Sequence, residues 1–85
     1  MLNKKDDFNI KRHIAELSGT KTTATRLNLV QFGMYPAKYD IRKWLLDENG
    51  AERSAYRGLQ LTLSELRNLR KALNELPELK EGGDQ

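Results

Sequence analysis

The 85-residue chain has no cysteine, one histidine, one tryptophan and two prolines. Without cysteine there is no disulfide staple and no thiolate zinc site, and nothing points to an oxidising compartment. No serine stands in a nucleophile motif, and there is no Gly-rich phosphate loop and no paired metal-ligand spacing. The single histidine, His13, lies within a strand-like pattern. These absences predict a protein without enzymatic activity, cofactor, metal or small-molecule substrate. No apolar run approaches the ~20 residues of a membrane span. Residues 1–7 lack the apolar stretch of a signal peptide. The expected location is therefore the cytoplasm, with no membrane partner.

The net charge is only +3, from 15 cations against 12 anions. Its distribution is more informative. Residues 1–60 hold eleven Lys/Arg against seven Asp/Glu, a net of +4, whereas residues 61–85 hold four against five, a net of −1. A basic excess confined to one part of a small chain is the asymmetry that attracts polyanions.

The pattern of the chain predicts one domain. Residues 8–17, FNIKRHIAEL, set Phe8, Ile10 and Ile14 against Asn9, Lys11 and His13, the period of a strand with one wet face. A small polar loop around Lys21 follows. Residues 25–33 alternate again, with Leu27, Leu29 and Gln31 opposite Arg26, Asn28, Val30 and Phe32; both sides carry apolar groups, so the core side is ambiguous. Pro36 breaks the pattern. A third strand runs from Lys38 to about Leu46, with Tyr39, Ile41, Lys43 and Leu45 on one face and Lys38, Asp40, Arg42, Trp44 and Leu46 on the other. Asn49-Gly50 is a strong hairpin signal. A fourth strand over residues 51–61 is expected to be irregular around Ser54-Ala55. Thr62-Leu63-Ser64-Glu65 fits a capping box. Leu63, Leu66, Leu69, Leu73 and Leu76 then form an apolar stripe, read as core, on a helix that Pro77 stops. Residues 1–7 and the acidic residues 78–85 are expected to be flexible, leaving a domain over residues 8–77.

Cations and aromatics alternate in Lys38-Tyr39-Asp40-Ile41-Arg42-Lys43-Trp44. An exposed strand of this kind offers positive charge to phosphates and flat rings to unstacked bases. Trp44 has two readings, a core tryptophan or a base-stacking platform. Strand parity favours the platform, because Ile41 and Leu45 claim the core side and Arg42 shares the Trp44 face. Phe32 is core by default and otherwise a second platform. Arg57 is a solvated edge residue or a phosphate contact. Asp40, the only acid in this strand, is expected to pair with a neighbouring cation.

Lys38 to Trp44, a hairpin, and then Arg57-Gly58-Leu59-Gln60-Leu61-Thr62-Leu63-Ser64-Glu65-Leu66 resemble the positive cofactor four family of transcriptional coactivators. The small bacterial YdbC-like branch is the most similar, through Phe8 to Ser18 and Leu27-Asn28-Leu29-Val30-Gln31-Phe32. The resemblance covers residues 8 to about 76. It implies an α+β fold in which a curved four-stranded antiparallel sheet is followed by one C-terminal helix, β-β-β-β-α. It also implies a homodimer, in which the helices and sheets of two protomers pack together and the Leu63–Leu76 stripe contributes to the contact, that binds single-stranded DNA with little base preference and without catalysis. Arg42 takes the place of the family's Asp-Ile-Arg arginine, Trp44 that of a stacking tryptophan, Phe32 that of a second-strand aromatic and Arg57 that of the basic residue before Gly. Lys38 precedes the strand as in the bacterial branch. The chain departs from the family in having Leu45 where human-type members complete an aromatic pair, in its hairpin, and in lacking a Lys/Ser-rich arm.

The reading that results is a single-strand-binding dimer acting in transcription regulation or in DNA replication and repair, associated with the nucleoid. Arg26, Lys38, Arg42, Lys43 and Arg57 draw in phosphates, and Lys21 closes over the strand from its loop. Lys43 is the weakest of these on strand parity. Trp44, with Phe32 beside it, stacks bases. Single-stranded RNA, or a transcription-adaptor module whose Trp44 anchors a protein partner, are the competing readings.

Overall fold

The computed structural model describes residues 2–3 and 8–82, with side chains from 8 to 80. The elements are β1 (Leu2–Asn3), β2 (Phe8–Gly19), β3 (Thr23–Phe32), β4 (Lys38–Leu46), β5 (Glu52–Ala55), β6 (Leu59–Leu61), α1 (Leu63–Asn74) and a 3-10 helix, Pro77–Gly82. The result is an α+β fold, an antiparallel sheet followed by one α-helix. The sheet order is β1-β5-β4-β3-β2, and β6 pairs with the same edge of β4 further along. No helix among the described residues is long and apolar enough to cross a membrane. Of the two segments expected to be flexible, residues 1, 4–7 and 83–85 lie outside the described residues. Leu2–Asn3 pairs with Ala55 and Ser54, and Pro77–Gly82 is helical.

The turn chemistry works as the residue types dictate. Gly50 adopts a positive φ of 82°, which costs a residue without Cβ little. The Asp47 carboxylate accepts from the N–H groups of Asn49 and Ala51 at 2.8 and 2.9 Å. The fourth strand is broken at residues 56–58, between β5 and β6, rather than at Ser54-Ala55, which lie inside β5.

β2 departs most from its pattern. Its register against β3 slips three times, between Ile10 and Arg12, between His13 and Ala15, and between Glu16 and Ser18. Each slip inserts one residue into a period-two ladder. The residues set against Val30, Asn28, Arg26 and Ala24 are therefore Ile10, His13, Glu16 and Gly19, three apart instead of two. Ile14 falls in a bulge at 39% exposure and does not join Phe8 and Ile10 in the core.

The sheet is strongly coiled. Phe8 pairs with Phe32, and Trp44 pairs with Ala24, eight residues away along β3. A flat ladder at about 3.3 Å per residue would separate these positions by roughly 26 Å. The Phe8 and Trp44 ring centroids are 5.8 Å apart. Coiling closes one face of the sheet, here called the inner face, over Phe8, Val30, Trp44 and Ala55, with Ile10, Phe32 and Leu46 packed around them.

The opposite, helix-side face is open. The capping box forms as expected: Glu65 N–H donates to Thr62 Oγ1 at 3.1 Å and Thr62 N–H donates to Glu65 Oε1 at 2.9 Å. No residue of α1 is buried, however. The leucine stripe, expected as core, leaves Leu63, Leu69, Leu73 and Leu76 well exposed. The reason is geometric. α1 meets the rest of the chain mainly at β4, β6 and the 3-10 helix, so a single helix lies on a sheet wider than itself. A groove of about 550 Å³ stays open among Leu17, Leu27, Ile41, Leu66, Leu69 and Leu73.

Candidate nucleic-acid interface

The expected interface residues separate into two groups. Arg26, Arg42 and Trp44 lie on the inner face and are committed to contacts within the chain. Trp44 is fully buried. Its ring lies against Phe8, and its indole N–H has no acceptor among the described residues. Arg42 and Trp44 share a face, as strand parity predicts, but that face is the closed one: coiling buries the Trp44 side, and the helix side, expected as the core, stays open. Trp44 is thus a core residue in this structure and not an open stacking platform.

Arg42 is 7% exposed. Its Nε donates to both Asp40 carboxylate oxygens, at 2.8 and 3.0 Å, and its Nη2 also reaches Oδ2. The guanidinium carbon lies 5.1 Å from the centre of the Phe8 ring, a cation–π contact. Asp40 therefore pairs with the neighbouring cation, as its position in a basic strand predicts, and it holds Arg42 away from solvent phosphates. Arg26 is engaged similarly. Its Nη1 is 3.0 Å from Glu52 Oε2, and its Nη2 is 3.0 Å from Glu16 Oε1. Burial opposes its charge, but the hydrogen bonds to Glu52 and Glu16 outweigh that and raise its pKa. His13 Nδ1 joins the cluster 3.1 Å from Asn28 Oδ1 and 3.7 Å from Glu52 Oε2. Two of the three arginines expected at phosphates are thus internal ion-pair members: Arg26 because carboxylates of β2 and β5 lie over β3, and Arg42 because Asp40 stands two residues away on the same face of β4.

The second group is free. Lys21, Lys38, Lys43 and Arg57 are exposed, and none has a carboxylate within ion-pair distance among the described residues. Lys21 sits in the β2–β3 turn. Lys43, the weakest candidate on parity, is open because it points to the helix side. It lines a shallow cleft of about 370 Å³ with Thr23 and Tyr56, and Tyr56 N–H donates to Lys43 O at 3.0 Å. Arg57 follows Tyr56 in the break between β5 and β6. Phe32 and Lys38 meet elsewhere, in a cleft with Val30, Tyr35, Pro36 and Gln60. Phe32 is half-buried with its ring set edge-on to Phe8, centroids 4.7 Å apart. Sequence pattern alone passed over Tyr35 and Tyr56. Both are exposed aromatics, 74% and 47%, beside free cations, and neither belongs to the alternating strand that drew attention.

Gly58 explains why glycine follows Arg57. A Cβ built there would lie 2.7 Å from Arg42 Cβ and 2.8 Å from Arg42 Cζ. The backbone of the break passes directly over the arginine. Gly58→Ala should displace Arg42 or the strand break and destabilise the protein by about 1–3 kcal/mol, the usual range for overpacking. A denaturant midpoint equal to wild type would show that the break gives way freely.

Among the described residues, no group of three His, Asp or Glu side chains could hold a metal ion. No protein-family model matches the chain, and no curated protein matches it.

Proposed function

We propose that the protein is a homodimer that binds single-stranded DNA with little base preference and performs no catalysis. The observation that carries this reading is the placement of exposed cations beside exposed rings: Lys38 shares a cleft with Tyr35, Lys43 shares another with Tyr56, and Arg57 follows Tyr56 in the chain, while Lys21 stands on the β2–β3 turn. Open clefts lined by a ring and a cation suit unstacked bases and their phosphates. A duplex keeps its bases stacked and offers the rings nothing. The motif order shared with the positive cofactor four family supports the same ligand. Single-stranded RNA presents the same phosphates and bases and is the alternative ligand. Replication, repair and transcription all expose such strands.

The open leucine groove supports the dimer. A helix with no buried residue exposes an apolar stripe of the kind that marks an interaction surface, and a second copy offers a matching one with the two-fold symmetry common in homo-oligomers.

The test is a titration of labelled oligo-dT and of a matched duplex at several salt concentrations, with the mass in solution measured on the same sample. The expected result is twice the chain mass and binding of the single strand alone. The log–log salt slope should approach −3 per protomer, from about −0.7 for each of four phosphate contacts. Lys43→Ala should reduce that slope by about 0.7. Equal affinity for duplex, or no binding at low salt, would exclude the reading.

A further inference from the structure

The cleft at the β3–β4 turn has the features of a seat for one nucleobase. We infer that it takes a single unstacked base of the bound strand, with Tyr35 as the stacking ring and Lys38 at the adjoining phosphate. This rests on the single-strand reading above and names the residue that performs the stacking first expected of Trp44.

Three observations carry it. The first is a preformed wall. Tyr35 N–H donates to Phe32 O at 2.9 Å, and the Gln31 side-chain amide donates to Tyr35 O at 3.0 Å. Gly33 supplies the positive φ, 47°, that the turn requires, and Pro36 restricts the backbone of Tyr35. The turn is thus tied at both ends, although Tyr35 itself is 74% exposed. A backbone already fixed in this way need not be ordered when a ligand arrives, which leaves only the side-chain torsions of Tyr35 to settle. The second is the floor. Phe32 is fixed from behind by Phe8, and Val30 beside it is buried. The third is the rim. Lys38 has no carboxylate partner among the described residues, and the other polar side chain lining the cleft besides Tyr35 is the Gln60 amide.

The volume, about 330 Å³, is at the small end of ligand clefts, ~300–1,000 Å³. That suits one planar group rather than a folded segment. Among the described residues no carboxylate lines the cleft, so of these only Lys38 bears a charge that a phosphate would meet there. Every base has a π-face, so a seat made of rings accepts any of them.

The experiment compares wild type, Tyr35→Ala, Tyr35→Phe and Lys38→Ala in anisotropy titrations with labelled oligo-dT. It adds photo-cross-linking with a 5-iodouracil oligonucleotide. Tyr35→Ala should weaken binding roughly 5- to 150-fold, the span of base–aromatic stacking, with an unchanged melting curve because the ring is exposed. Tyr35→Phe should bind like wild type. Lys38→Ala should reduce the salt slope by about 0.7. The cross-link should fall in the tryptic peptide of residues 27–38. Wild-type binding that Tyr35→Ala leaves intact, with cross-links elsewhere, would overturn this seat while leaving the single-strand reading standing. Wild type that fails to bind any single strand would remove both.

Discussion

Trp44→Ala should cost about 3–5 kcal/mol, the range for emptying a large aromatic site in a core. Trp44 is fully buried against Phe8 and pairs in the ladder with Ala24 and Ala55. Small alanines flank the ring, and they have little side chain to fill the space it leaves. An 85-residue domain has a total stability of only about 4–13 kcal/mol on the usual per-residue scale. The loss should lower the melting temperature by on the order of 20 °C. Trp44→Phe is the instructive companion. It keeps most of the apolar volume and removes an indole N–H that has no acceptor among the described residues, so its cost should be far smaller. Chemical denaturation followed by circular dichroism measures both. A Trp44→Ala protein of wild-type stability that had lost only oligonucleotide binding would put the ring back on the surface and refute the packing described here.

Asp40→Ala should be comparably severe. Asp40 has no exposed surface and Arg42 almost none, so removing the carboxylate leaves a buried guanidinium without its counter-ion. Breaking one partner of such a pair costs about 3–5 kcal/mol, whereas replacing both by apolar residues of similar volume is often close to neutral. The double variant Asp40→Leu/Arg42→Met should therefore be more stable than Asp40→Ala, although it carries more changes. Denaturant midpoints of the two variants decide the matter. Losses below 1 kcal/mol for Asp40→Ala would mean that Arg42 reaches solvent easily. In that case Arg42 would return as a phosphate contact.

The Asp40–Arg42 pairing agrees with the sequence, but both predictions rest on burial of the face that strand parity left open, and that reversal shows where sequence pattern stops. Local signals carried well. Thr62 and Glu65 form the cap because a hydroxyl and a carboxylate three residues apart answer the first free N–H groups of a helix. Asn49-Gly50 turns the chain because glycine accepts positive φ. Alternation between Lys38 and Leu46 placed β4 at its observed limits. Parity also grouped Arg42 with Trp44. What it could not supply is which side closes. That depends on coiling summed over several strands and on three slips in β2, and a slip leaves no mark in the residue pattern until the partner strand is known. The same limit applied to the leucine stripe. Periodicity shows that one side of α1 is apolar but not whether its own sheet is broad enough to cover it. Of the expected interface, Lys21, Lys38, Lys43 and Arg57 remain open and Phe32 lines a cleft. Arg26, Arg42 and Trp44 are spent on the fold.

Among the described strands β2 forms one edge of the sheet and is twelve residues long. An edge of that length would normally be a template for the edge of another molecule, with its free row of N–H and C=O groups. The slips prevent this. They interrupt the spacing of the outer backbone groups as well as the inner ones, so an incoming straight strand finds no long matching ladder. Lys11 and Arg12, exposed beside the first slip, add like-charge repulsion between copies. The irregularity that misleads a period-two reading of this strand also guards the protein against growing into fibres.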